Sequence, residues 1–163
     1  MTRAAILAIA LLLPAPTWGA ALCPPVRAQP PALFMAALEA TESGGARDPD
    51  SVPGDDGESW GRYQVSVIYA VQCLREEGRS VPWPLPVDRR ARIITMLLHP
   101  PTQREWALRH AEYCLAQYPP GWWSMAYRCY RGGPGAKGAL GPNERRFAAN
   151  VRRIGRHMTA AQP

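Results

Sequence analysis

The chain has 163 residues, 47% of them hydrophobic, and a formal net charge of +6 from 19 basic and 13 acidic side chains. That length supports one domain with a real core and leaves little room for a second. No stretch approaches the roughly 18 uninterrupted apolar residues that a membrane-spanning helix needs.

The first residues are set apart from the core. Arg3 gives a positive start, Ala4 to Leu13 form a short apolar run, and Pro14 to Ala21 end in small residues. Charged, apolar, then small and cleavable is the order of a secretory signal. Cleavage is expected after Ala21, with Gly19 and Ala21 as the small residues; Val26 and Ala28 make a second site possible after Ala28. Leu22 is too large for the residue preceding a lipid-anchored cysteine at Cys23. The expected organisation is therefore a signal segment over 1–21, a proline-rich lead-in over 22–31, a domain over 32–158 and a tail over 159–163. Such a chain is exported, to the periplasm or beyond.

From Ala32 the pattern is helical, with Leu33, Phe34, Ala37, Leu38 and Thr41 at helical spacing and Gly44-Gly45 as the stop. Asp48 to Ser59 is a loop dense in Asp, Pro, Gly and Ser, with room for a small hairpin before Tyr63. Ser66 to Glu77 reads as a second helix with Val67, Ile68, Val71 and Leu74 inward. Pro82, Pro84 and Pro86 then enforce an extended connection, because proline lacks the N–H a helix needs. Asp88 is placed to cap a third helix reaching Leu98, and Thr102 with Glu105 forms a capping box for a fourth carrying Trp106, Tyr113 and Cys114. A fifth covers Trp122 to Tyr130. Asn143 caps a sixth, with Phe147, Val151, Ile154 and Met158 inward and five arginines in water. The fold class is all-α, a single domain of about six helices.

Cys23, Cys73, Cys114 and Cys129 are disulfide candidates in an exported chain, and four cysteines allow three pairings. Two disulfides require Cys23 and so favour the earlier signal cut. There is no close cysteine pair, and His99, His110 and His157 lack ligand spacing, so no metal or other cofactor is expected. The positive charge attracts anionic polymers. The C-terminal arginines read as a solvated helix face, which argues against nucleic acid as the partner.

Phe34, Leu38 and Glu42 lie four apart and share one helix face. A carboxyl that extends an apolar stripe has its charged form disfavoured, and the negative end of the helix pushes the same way. Both effects suit a general acid that must hold its proton near neutral pH. Glu39 sits about 100° round the helix and is expected to face solvent.

Glu42-Ser43-Gly44, an Asp/Gly loop and Gly61-Arg62-Tyr63-Gln64-Val65 resemble the signature of the lysozyme-like lytic transglycosylase domain, an E-S-G followed by G-L-M-Q and an aliphatic residue. Arg62 and Tyr63 stand in place of Leu and Met. Ala126-Tyr127 and Tyr130-Arg131-Gly132-Gly133-Pro134 resemble the same family's A-Y-N-A-G-P stretch, with Arg131 replacing the asparagine. The likeness runs from about Leu33 to Arg153. It implies a lysozyme-like fold and a muramidase acting on the β-1,4 bond between N-acetylmuramic acid and N-acetylglucosamine in peptidoglycan. Glu42 would be the acid, and the muramyl 6-hydroxyl would close the 1,6-anhydro product. Gln64 would line the sugar groove, with Ser43, Tyr63 and Arg131 among the substrate-contacting positions, and Tyr130 would support the acid from the facing wall.

Asp55, in Gly54-Asp55-Asp56-Gly57, resembles the aspartate that positions water in goose-type lysozymes, although Ser66 occupies the place of a second such aspartate. Inverting hydrolysis needs a base about 6.5–9.5 Å from the acid. Asp55 therefore keeps a hydrolytic lysozyme as the alternative to the transglycosylase. A monomer is expected, bound to glycan strands. Two non-enzymatic readings are a glycan-binding module that kept the fold without turnover and a structural part of an envelope assembly.

Overall fold

A computed structural model describes Cys23, Pro25 and residues 30–133, 136 and 139–160. The expected signal segment, most of the lead-in, Pro134 and residues 161–163 of the tail lie outside them. The described residues contain six α-helices: α1 (Ala32–Glu42), α2 (Val67–Glu76), α3 (Val87–Leu97), α4 (Pro100–Ala116), α5 (Trp123–Gly132) and α6 (Pro142–Ala160). Between α1 and α2 run three short antiparallel strands, β1 (Pro53–Gly54), β2 (Ser59–Trp60) and β3 (Val65–Ser66), in the order β1-β2-β3. No helix among the described residues is long and apolar enough to cross a membrane.

The mainly helical class is as the periodicity predicts, and the departures have local causes. The expected hairpin is a three-stranded sheet, because Val65–Ser66 beyond the loop pairs with Ser59–Trp60. The Thr102–Glu105 capping box is not used. Proline needs no N–H in a first turn, so Pro100 and Pro101 begin α4 two residues earlier, and Thr102 instead contacts His99 Nδ1 at 2.9 Å. Asp88 lies inside the first turn of α3 and makes no side-chain cap, and Asn143 likewise falls inside a helix that starts at Pro142. Ser66 does cap α2, accepting from Tyr69 N at 3.1 Å. Ile68, expected inward, is 61% exposed, and Met158 is exposed at the far end of α6.

One hydrophobic core joins the helices. Its centre is aromatic. Phe34 meets Phe147 edge-on with ring centroids 5.2 Å apart, and Tyr127 stacks on Phe147 at 4.5 Å. These contacts lock α1, α5 and α6 together around fully buried rings, each adding roughly 1 kcal/mol beyond its area burial. Disulfides join Cys23 to Cys73 of α2 and Cys114 of α4 to Cys129 of α5.

The loop that carries the Asp/Gly motif is fixed from beneath. Buried Gln103 donates to the carbonyl of Leu97 at 2.7 Å and leaves no space above it. A Cβ on Gly61 would lie 1.7 Å from the Gln103 amide, and Gly61 also has φ +79°. Glycine is required there on both counts. Arg62 is the other anchor, with a two-pronged contact to Asp50 at 2.9 and 3.0 Å and a salt bridge to Glu39. Glu39, expected to face solvent, is about one-third exposed and is also tied to the loop by this pair.

Candidate active site

Glu42 closes α1. Phe34 and Leu38 beneath it are fully buried, and the stripe carries the Glu42 side chain to a position only 10% exposed. The helix end is fastened on two sides. Ser43 Oγ donates to the carbonyl of Glu39 at 2.8 Å. Thr41 Oγ1 accepts from Asn150 of α6 at 3.0 Å and donates to the carbonyl of Ala37.

Tyr127 of α5 donates its hydroxyl to Glu42 Oε1 at 2.6 Å. Burial pushes the Glu42 carboxyl above its ordinary pKa and Asp55 adds to that, while the Tyr127 hydrogen bond and the nearby Arg131 and Arg146 charges oppose it. Burial and the same carboxylate raise the Tyr127 phenol, so it stays a donor at every working pH.

Beside Glu42 lies a groove of about 400 Å³ bordered by Asp55, Gln64, Ile68, Tyr130 and Arg131, among others. It continues past Tyr130 and Arg131 into a second cavity of about 530 Å³ that reaches Tyr113 and the exposed indole of Trp83. Both volumes suit small-molecule or oligomer binding. The shared wall includes His110, stacked on Tyr69 at 4.0 Å and tilted against Tyr130 at 4.4 Å. Burial there pushes the His110 imidazole down to about 3, which keeps it neutral.

Asp55 has φ +47° and Asp56 +55°, a left-handed pair that aspartate tolerates better than most residues. This turn presents Asp55 to the groove with Ser59 Oγ donating to its Oδ2 at 3.0 Å. Arg131 stands between the two carboxylates, its guanidinium 3.9 Å from Glu42 Oε1 and 4.0 Å from Asp55 Oδ1.

Of the residues singled out in the sequence, Glu42, Asp55, Gln64, Tyr130 and Arg131 border one groove. Gln64 does so with its amide already engaged, donating to the carbonyls of Val52 and Gly61 at 3.0 and 2.8 Å. It stiffens the groove wall, and its side chain fills the space where Gly54 has no Cβ. Ser43 serves the helix end. The Tyr63 hydroxyl lies near Arg104 and Glu39, and the Tyr63 carbonyl accepts from Tyr130 of α5 at 2.9 Å. Tyr130 thus bonds the loop backbone, and Tyr127, one turn earlier on α5, makes the hydrogen bond to Glu42. Tyr127 was visible in the sequence as part of the Ala126-Tyr127 motif, but helical register alone does not say which tyrosine meets Glu42.

Tyr127→Phe tests this arrangement. The hydrogen bond stabilises the Glu42 carboxylate, so its loss leaves burial less opposed and raises the carboxyl pKa further. Any activity that needs protonated Glu42 should then persist to higher pH than in the native protein. A pH–rate profile with an unmoved alkaline limb would show that Tyr127 does not tune the acid.

Comparison of the chain with protein-family models, with curated proteins and with solved structures finds no match.

Proposed function

We propose that this protein cleaves the glycan strands of peptidoglycan, with Glu42 as general acid, as a lytic transglycosylase. The observation that carries the proposal is a carboxyl at the end of an apolar helical stripe, shielded from water, hydrogen-bonded by Tyr127 and opening on a groove. Its raised pKa suits proton donation at neutral pH. The motif resemblance around Glu42, Gly61–Val65 and Tyr130–Gly133 supplies the substrate.

In this mechanism Glu42 gives its proton to the oxygen linking N-acetylmuramic acid to N-acetylglucosamine. The bond from that oxygen to the muramyl anomeric carbon breaks, and N-acetylglucosamine leaves with a free 4-hydroxyl. The muramyl 6-hydroxyl attacks the anomeric carbon and returns its proton to the Glu42 carboxylate. The product is a 1,6-anhydro sugar, and no water is consumed.

The two disulfides suit the oxidising compartment to which the N-terminal segment would direct the chain, where the wall lies. The net charge of +6 suits an anionic polymer. One observation favours a hydrolytic second reading: Asp55 borders the same groove and is held by Ser59, where it could position a water. Mass spectrometry of the soluble products from purified peptidoglycan decides between them. Anhydro-muramyl ends are the expected result, reducing ends would establish the lysozyme reading, and no soluble product at all would leave a binding protein.

A further inference from the structure

Among the described residues, Arg131 is the one cation that borders both halves of the groove together with the acid's own wall. Its position in the last turn of α5 suits a cation at the negative end of a helix, and that accounts for its charge but not for its direction. Among the described residues its ion-pair partners are Glu42 and Asp55, at 3.9 and 4.0 Å. Both lie beyond hydrogen-bond length, so the planar fork of the guanidinium faces two carboxylates without docking squarely on either.

Each carboxylate has a better partner already. Glu42 accepts from Tyr127 at 2.6 Å and Asp55 from Ser59 at 3.0 Å. The third acid of the groove, Glu58, is held by Arg90 at 2.8 Å. Arg75, on the wall of the adjoining cavity, is committed to the carbonyl of Val81 at 2.8 and 3.0 Å. Arg131 is about one-third exposed and stands where the two cavities meet.

We propose that Arg131 is a specificity-determining residue that binds a carboxylate carried by the substrate, so that the groove selects acidic glycans over neutral ones of the same backbone. The inference rests on the glycan reading of the groove given above and adds the substituent that it prefers. A carboxylate that docks at about 2.8 Å on both prongs of the fork displaces two long-range contacts with a charge-assisted pair. Asp55 keeps its bond to Ser59 when this happens. The bound carboxylate offsets the Arg131 charge that opposes protonation of Glu42.

The carboxylate has two sources in peptidoglycan, the lactyl group of an unsubstituted muramyl sugar and the acidic residues of the attached peptide. Three ligands separate them: peptide-free muramyl glycan, peptide-bearing glycan, and neutral oligomers of N-acetylglucosamine. Their affinities are measured by calorimetry on Glu42→Gln protein, which binds without turnover, and compared with Glu42→Gln/Arg131→Gln and Glu42→Gln/Arg131→Lys.

The expected result is a preference for an acidic glycan over the neutral one that falls about tenfold or more with Arg131→Gln and is partly kept with Arg131→Lys. A preference confined to the peptide-bearing ligand assigns the carboxylate to the peptide; one shared by the peptide-free glycan assigns it to the lactyl group. No preference before substitution, or an undiminished one after it, overturns the proposal. If the native protein releases no product yet the Arg131-dependent preference stands, the catalytic reading fails and this one holds. If no glycan binds, both fail.

Discussion

Replacing Glu42 by glutamine should lower the release of soluble muropeptides by about 10³-fold, within the range that general acids contribute. Glutamine has the same shape and accepts the Tyr127 hydrogen bond, but it has no proton to give to a leaving oxygen. The same substitution should leave the fold intact and raise its thermal midpoint at neutral pH. Glu42 is held above its ordinary pKa by burial, so the folded protein binds that proton more tightly than the unfolded chain does. Its contribution to stability is complete below the unfolded pKa and is lost as pH rises through the folded value. As pH rises past the unfolded value, the unfolded chain gives up this proton more readily than the folded protein does, a penalty on folding that the variant lacks. The gap in thermal midpoint should therefore be widest near pH 7 and close towards pH 4. Undiminished release by the variant would place the acid elsewhere, and a variant less stable at pH 7 would mean that the carboxylate is well accommodated where it sits.

Removing the Cys23–Cys73 disulfide, by replacing both residues with alanine, should destabilise the protein by about 4 kcal/mol. The bond closes a loop of 50 residues, and the entropy returned to the unfolded chain grows with the logarithm of that length. In a chain of this size that corresponds to a fall of roughly 10 °C in thermal midpoint. The folded state loses something as well. Cys23 is buried at 4% exposure, its N–H donates to Glu76 at 2.9 Å, and Arg109 approaches its sulfur. The Cys114–Cys129 bond closes only 15 residues and should contribute about 3 kcal/mol by the same reasoning. Thermal unfolding of the two paired variants, each under oxidising conditions, checks the order. A change below about 2 °C for Cys23/Cys73 would show that the N-terminal segment is not held by that bond in solution.

Much of the helical architecture follows from periodicity, and with it the burial of Phe34 and Leu38 under Glu42. The stripe fixes that face because any packing partner must cover it. Helix starts were harder to place, since Thr102, Asp88 and Asn143 are all good caps in isolation while prolines at or just before those helices decide the entry. Ile68 reads as a core position by spacing, yet it borders the groove, because α2 lines a cleft on one side of its apolar face. The site residues divide in the same way. Glu42, Asp55 and Arg131 were legible from local pattern and motif. That Arg131 stands between the other two, and that Tyr127 and not Tyr130 reaches the acid, depends on how α5 rotates against α1. Phe147, 20 residues beyond Tyr127, fixes that rotation by stacking on it.

The contacts that position Glu42 also impose an order in time. Thr41, its neighbour in α1, is held by Asn150, 109 positions later in the chain, and the ring behind Tyr127 belongs to the same last helix. A growing polypeptide that has made α1 to α5 still lacks Phe147 and Asn150. Contacts so distant in sequence form late, since the closure entropy must be met before they reward it. The surroundings of Glu42 are therefore complete only once α6 has docked on α1 and α5.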